Sequence, residues 1–329
     1  MQKQSQQIQP EVDLLQEQRQ RLRRVTERII GLPSLPTVVT QLLSVVGDPA
    51  SSARDVSQLI STDQALTAKI LKVANSAFYG FPRKIATVQF AIVVLGFETV
   101  KNLGLSVAIL KRFHQGNDHP LFDRQQFWEH AIGCGVAGRM LARKRNRKLE
   151  GEAFVAGVLH DIGKLILIEY FPDEFGECLD RAKSDLLSIA EAEEQVIGVT
   201  HAEIGGWLAE KWKLPESLVN AIAHHHAPYE LEEPDEILLI THMANALTRH
   251  NRIGSGGDRL GASLSPRVAA VFKNGRDIND DVLLSELSEG YQEEIETARV
   301  FTDLEAELFD TPGEGQTQED DEGGAPVGA

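Results

Sequence analysis

"GVLHDIGKL", residues 157–165, sets a histidine beside an aspartate inside an otherwise apolar run. Two ionisable side chains in a core element cost free energy unless a metal, a hydrogen bond or an opposite charge satisfies them. The run continues on both sides, from "EAFVA" into "ILIEYF". "LILIEYF" alone would pass for a strand, but the uninterrupted apolar length assigns residues 150–170 to helix. Gly157 and Gly163 flank the pair and leave room for a partner helix or a ligand to come close. Neighbouring residues on a helix point ~100° apart, so His160 and Asp161 share one ligand only at a helix face or end.

The surrounding chain reads as helix throughout. Residues 11–30 carry Leu15, Leu22, Val25 and Ile29 at helical spacing, read as a helix packed on the adjoining domain. "GLPSLP" punctuates, Pro36 opens a helix through "TVVTQLLSVV", and "GDP" at 47–49 ends it. Ser61 precedes Gln64 by three residues, a capping-box spacing for a helix through Leu66, Ile70, Leu71, Val73 and Ala74. Residues 81–113 read as two apolar helices broken near Gly96, and "HQGNDHP", 114–120, reads as a junction. Further helices are expected at about 122–144, 150–170, 173–183, 186–196, 200–212, 215–226, 235–250 and 280–308, with a loop at "GSGGD", 254–258. The expected fold is all-α.

Composition narrows the function. A net charge of −16 opposes general binding to nucleic acid or to anionic membranes. The first residues have no apolar h-region, so no signal peptide is expected, and no apolar run is long enough to span a bilayer. Cys134 and Cys178 are the only cysteines; 44 residues apart, they form no metal-type pair and read as reduced, buried thiols. The tail from Asp310 to Ala329 is acidic, lacks aromatics and reads as disordered. A cytoplasmic protein is expected.

The histidines keep an order. His130, His160 with Asp161, and His201 each fall on a different expected helix, and His224–His225–His226 end a fourth. Helices that each present an imidazole or carboxylate inward form the common geometry of a metal site in a helical bundle. Imidazole and carboxylate suit divalent iron, manganese or zinc. His114, His119 and His250 are assigned structural or surface roles, as a lone helical histidine commonly has.

"AFVAGVLHDIGKLIL" resembles the signature of the HD superfamily of metal-dependent phosphohydrolases, and the histidine order resembles its HD-GYP branch, which degrades cyclic di-GMP. That resemblance implies His130, His160, Asp161, His201, His224 and His225 as metal ligands and Lys164 as a contact to substrate phosphate. Two motifs depart from it. The final aspartate of the superfamily is replaced by Asn245 in "ITHMANAL", a neutral and weaker oxygen donor. "HHHAPYELEEP" places His226 where that branch has glutamate and lacks the glycine-tyrosine-proline loop. His242, about one turn before Asn245, could face the same site. "LPSLPTVVTQLL", "LISTDQALTAKILKVANSAFYG", "TVQFAIVVLGFETVKNLGLSVAI" and "HAEIGGWLAEKWKLPESLVNAIAHHH" closely resemble the HDOD family, the HD-related output domain, over about residues 26–230.

The resemblance implies a two-lobed helical fold: an N-terminal extension (1–25), an N-terminal lobe (26–115), an HD-like lobe (120–250), a C-terminal helical extension (259–309) and the acidic tail (310–329). It implies a bacterial signalling or regulatory module with a degenerate pocket, acting through a protein partner. A nucleotide ligand and a homodimer are both compatible with it. The competing reading is a metal-dependent phosphohydrolase acting on a nucleotide or cyclic dinucleotide. "RMLARKRNRKL", 139–149, is read as a solvated helix end, with a phosphate patch as the alternative. "NSAFYGFPRK", with Asn75, Phe78, Tyr79 and Phe81, is either buried aromatic packing or a recognition surface, and Trp207 and Trp212 read as core. A helix-turn-helix DNA regulator is disfavoured by the acidity.

Overall fold

The structure, a computed structural model, describes residues 37, 40–42, 52–113 and 119–309. The expected helix at 11–30, the acidic tail, His114 and most of the 114–120 junction lie outside the described residues. Within them the chain is helical with no strand, only an isolated bridge between His119 and Phe122.

Thr37 and Thr40–Leu42 are helical. Next come four helices: α1 (Ala53–Ile60), α2 (Gln64–Ala74), α3 (Val88–Leu95) and α4 (Phe97–Phe113). Helix α1 was not expected; Ser52 and Asp55 form its capping box. The cap of α2 is Asp63, whose Oδ1 accepts from Leu66 N at 2.9 Å, so the box expected at Ser61 is not the one used. Ser61 Oγ instead donates back to the Ser57 carbonyl. The break at Gly96 falls where expected, with φ at 90°.

The second group begins with α5 (Arg124–Arg145) and α6 (Glu150–Leu159), then α7 (Ile162–Tyr170), α8 (Pro172–Ser184), α9 (Ile189–Val196), α10 (His201–Lys211), α11 (Glu216–His224) and α12 (Glu236–His250). α13 (Pro266–Lys273), α14 (Asp280–Leu287), α15 (Tyr291–Thr297) and α16 (Arg299–Phe309) complete the described chain. The single helix expected over 280–308 is three, with Gly290 at φ 77° starting α15. The helix expected over 150–170 is two, interrupted at His160 and Asp161. That interruption places the pair at a helix junction, with His160 still helical at φ −53° and Asp161 leaving the helix at φ −100° and ψ 9°.

Helix α5 lies at the centre, packed against α6 and α12 and touched by α15 and α16. Its small residues allow close approach; a Cβ on Gly138 would run into the backbone of Ala153, and Gly157 on α6 sits directly on the Cys134 carbonyl. Gly163 likewise lies against the His201 carbonyl, which locks α7 to α10. The glycines flanking the His-Asp pair therefore serve helix-to-helix contact.

The basic segment 139–149 is tied into the fold. Arg143 Nη1 donates to Glu294 Oε1 at 2.6 Å, Arg143 Nε lies 3.2 Å from Glu150, and Arg145 pairs with Glu236 at 3.2 Å. Arg139 lies 3.7 Å from both Glu150 and Glu294, with its guanidinium 4.0 Å from the centroid of the Phe78 ring. Phe78 and Trp212 are buried, Trp207 packs partly against the core, and Tyr79 and Phe81 are half-buried.

Candidate metal centre

Five residues from four helical segments meet at the Asp161 carboxylate. His160 Nε2 lies 3.3 Å from Oδ2 and His130 Nε2 3.8 Å from it; His201 Nε2 lies 3.1 Å from Oδ1 and His225 Nε2 3.5 Å from it. All five are at most 1 % exposed.

Every imidazole is oriented from behind. The Nδ1 atoms of His130, His160 and His225 face the carbonyls of Ile253 (3.3 Å), Gly157 (2.7 Å) and Ile222 (2.9 Å). His201 Nδ1 faces Glu193 Oε2 at 2.6 Å. With Nδ1 engaged behind it, each ring turns its Nε2 toward Asp161, the pattern by which outer hydrogen bonds hold metal-binding histidines.

Electrostatics match the burial. Burial opposes ionisation of Asp161, but the charges of His160 and Lys164 hold its carboxyl well below the usual range. Burial also opposes the charged forms of Cys134 and His160. For Cys134 the neighbouring His130 and His160 outweigh it and bring the thiol down to about 5. Asp161 and Cys134 raise His160 to about 10. His225 is pushed down to about 3, mainly by burial. Lys164 Nζ donates to Asp161 Oδ2 at 2.6 Å and to the Gly256 carbonyl at 2.8 Å, and is itself only 3 % exposed.

The histidine run enters one residue later than expected. His224 is the last residue of α11; it turns outward, with Nδ1 3.6 Å from Glu230, and does not join the cluster. His226 does, its Nε2 3.0 Å from His201 Nε2. The helix ends at His224; His225, still with helical backbone angles as the cap, and His226 beyond it lie against His201 of α10. His242 is no substitute ligand. Its Nδ1 donates to the His225 carbonyl at 2.6 Å and its Nε2 accepts from Ser265 N at 2.9 Å, which occupies both nitrogens. Asn245 is buried on α12, and its Oδ1 accepts no hydrogen bond.

Two further residues belong to the site. Glu193 on α9 is fully buried and takes hydrogen bonds from both the backbone and the ring of His201. Cys134 on α5 lies beside His130 and His160, its Sγ 3.6 Å and 4.0 Å from their Nε2 atoms. Its spacing of four from His130 was the available signal. Glu193 carried none, because it acts from another helix.

The residues fit a divalent cation. Asp161 Oδ1 and His225 Nε2 are buried without hydrogen-bond partners. Asp161, His201, His225 and His226 form one group of donors close enough to share an ion. His130 and His160 face the other carboxylate oxygen. A cation held there supplies Lewis acidity and acidifies a bound water.

Comparison with known proteins gives the family and the fold. An uncharacterized protein of Treponema pallidum (strain Nichols) is 27% identical over 227 residues, 68% of this chain and 44% of that protein, so the chain spans less than half the length of that relative. An HDOD domain protein of unknown function from Geobacter sulfurreducens shares the fold, with a TM-score of 0.72 at 24% identity over 86% of this chain and 98% of that one. A candidate phosphohydrolase from Shewanella amazonensis SB2B has a TM-score of 0.64 at 26% identity, covering 84% of this chain and 97% of that one. The HDOD domain model matches residues 32–228, more than half of the sequence, and the chain belongs to the HDOD domain family.

Proposed function

We propose that the chain is a bacterial, cytoplasmic regulatory module whose buried cluster holds a divalent metal without turning over a phosphodiester. One observation carries this reading: the lysine that a phosphohydrolase would aim at substrate is already engaged. Lys164 is buried, with Nζ on Asp161 and on the Gly256 carbonyl of the 254–258 loop. The same stretch lends the Ile253 carbonyl to His130, and Gly254 packs against the backbone of α5. A phosphate would have to displace this loop to reach the lysine.

Output then runs through a protein partner. Helix α3 supports this, since it leaves Phe90 and Val93 exposed near Phe81. A homodimer or a nucleotide ligand would act at such a surface or under the loop. No helix among the described residues is long and apolar enough to cross a membrane, and the net charge of −16 disfavours nucleic acid.

The second reading, a metal-dependent phosphohydrolase, is favoured by the imidazoles that face both oxygens of Asp161, an arrangement compatible with two metals. Assays of the metal-loaded full chain on cyclic di-GMP and on a chromogenic phosphodiester separate the two. The regulatory reading expects no hydrolysis above the level of His160→Ala. Turnover abolished by His160→Ala would establish the enzyme instead.

A further inference from the structure

Cys134 is the one soft donor at the cluster. It lies four residues after His130 on α5, so both side chains leave the same face of that helix. Its Sγ is 3.6 Å from His130 Nε2 and 4.0 Å from His160 Nε2. Asp161 Oδ2 lies 3.3 Å from His160 Nε2 and 3.8 Å from His130 Nε2. A tetrahedral zinc site with its usual bond lengths has edges of roughly 3.3 Å between two nitrogens and roughly 3.6 Å between sulfur and nitrogen. The observed separations exceed those edges by at most about 0.5 Å, and His130, Cys134 and His160 form a second group of donors close enough to share an ion.

The orientation of the rings points the same way. His130 and His160 both direct Nδ1 at backbone carbonyls, which turns Nε2 of each toward the sulfur. Asp161 Oδ2, near both rings, accepts from Lys164. A cation engages the sulfur, both nitrogens and the carboxylate together.

We propose that Cys134 is a metal ligand, and that with His130, His160 and Asp161 it forms a tetrahedral site for a thiophilic divalent cation of the zinc class. The inference rests on the reading that the cluster binds metal, and it makes the two sides of Asp161 unlike. Its Oδ2 side carries the thiolate and selects a soft ion. Its Oδ1 side, with His201, His225 and His226, is nitrogen and oxygen only. Thiolate favours zinc over manganese, which prefers harder donors.

Cobalt alone, added to untagged, metal-stripped full chain, tests this by absorption. A thiolate ligand gives an intense sulfur-to-cobalt charge-transfer band in the near ultraviolet, apart from the weaker visible bands of any bound cobalt. The expected result is that band in the wild type and in Cys178→Ser, and its loss in Cys134→Ser. Zinc affinity of Cys134→Ser should fall about tenfold or more, with manganese affinity changed far less. The chain has two cysteines, so the Cys178→Ser spectrum assigns the band even if Cys134→Ser does not fold. Bound cobalt without a charge-transfer band overturns the cysteine ligand and leaves the metal centre standing. No bound cobalt overturns both.

Discussion

Glu193 Oε2 accepts two hydrogen bonds from a single residue, His201: from its backbone N–H at 2.7 Å and from its ring Nδ1 at 2.6 Å. The carboxylate thereby fixes both the start of α10 and the orientation of the buried imidazole ring of His201.

Removing that support should loosen the metal before it unfolds the protein. Glu193→Ala is expected to lower metal affinity about 10- to 100-fold, and Glu193→Gln, whose amide oxygen still accepts from Nδ1, much less. Competition against a chromophoric chelator measures this, with thermal unfolding run alongside. Equal losses in the two variants would show that Glu193 acts through its charge rather than by orienting the ring.

The contact between Gly163 and the His201 carbonyl leaves no room for a methyl group. Gly163→Ala is expected to cost about 3 kcal/mol of stability, because backbone rather than a flexible side chain must move. Gly261→Ala, where nothing lies within 4 Å of the added carbon, should stay within ~0.5 kcal/mol of wild type. Urea midpoints of the two variants compare them directly.

Apolar periodicity alone carries the all-α reading, and the order of His130, His160, Asp161, His201 and His225 along the chain carries their meeting at one point. What escaped has physical reasons. His224 and His226 exchanged roles because a helix terminus decides their directions, and a run of three identical residues does not mark where the helix stops. The split at His160–Asp161 was invisible because both halves are apolar at helical spacing. Cys134 was readable four residues after His130, but its distance in sequence from Cys178 is silent about that histidine partner. Glu193 and the Gly256 carbonyl reach the site only through tertiary packing.

His242 holds the His225 backbone and the N-terminus of α13 through one neutral ring, accepting from Ser265 N and donating to the His225 carbonyl. Burial lowers its pKa from the ordinary value, against a smaller opposing effect of the His225 carbonyl. The unfolded chain therefore takes up this proton first, as pH falls through about 6.5. The stability contributed by the neutral ring is complete above that pH and is lost as pH falls toward the folded-state value. Between pH 7.5 and pH 5.5 the thermal midpoint of the wild type should drop. It should drop less in His242→Gln, which can accept and donate without titrating.

The 254–258 loop is pinned by Asp258, which binds Arg249 and accepts from Ile189 N at 3.1 Å and Leu260 N at 2.9 Å. Asp258→Ala should speed extraction of the metal by a chelator about tenfold, as lost hydrogen bonds lower the cost of opening. Unchanged extraction would mean that the metal leaves by another route.

The metal content of untagged full-length protein bears most directly on all of this. Elemental analysis should find about one equivalent or more of zinc, iron or manganese per chain in the wild type, and a large loss in Asp161→Ala, which removes the carboxylate both histidine pairs face. Wild-type protein that is metal-free and takes up no added zinc, manganese or iron would contradict a metal centre at Asp161.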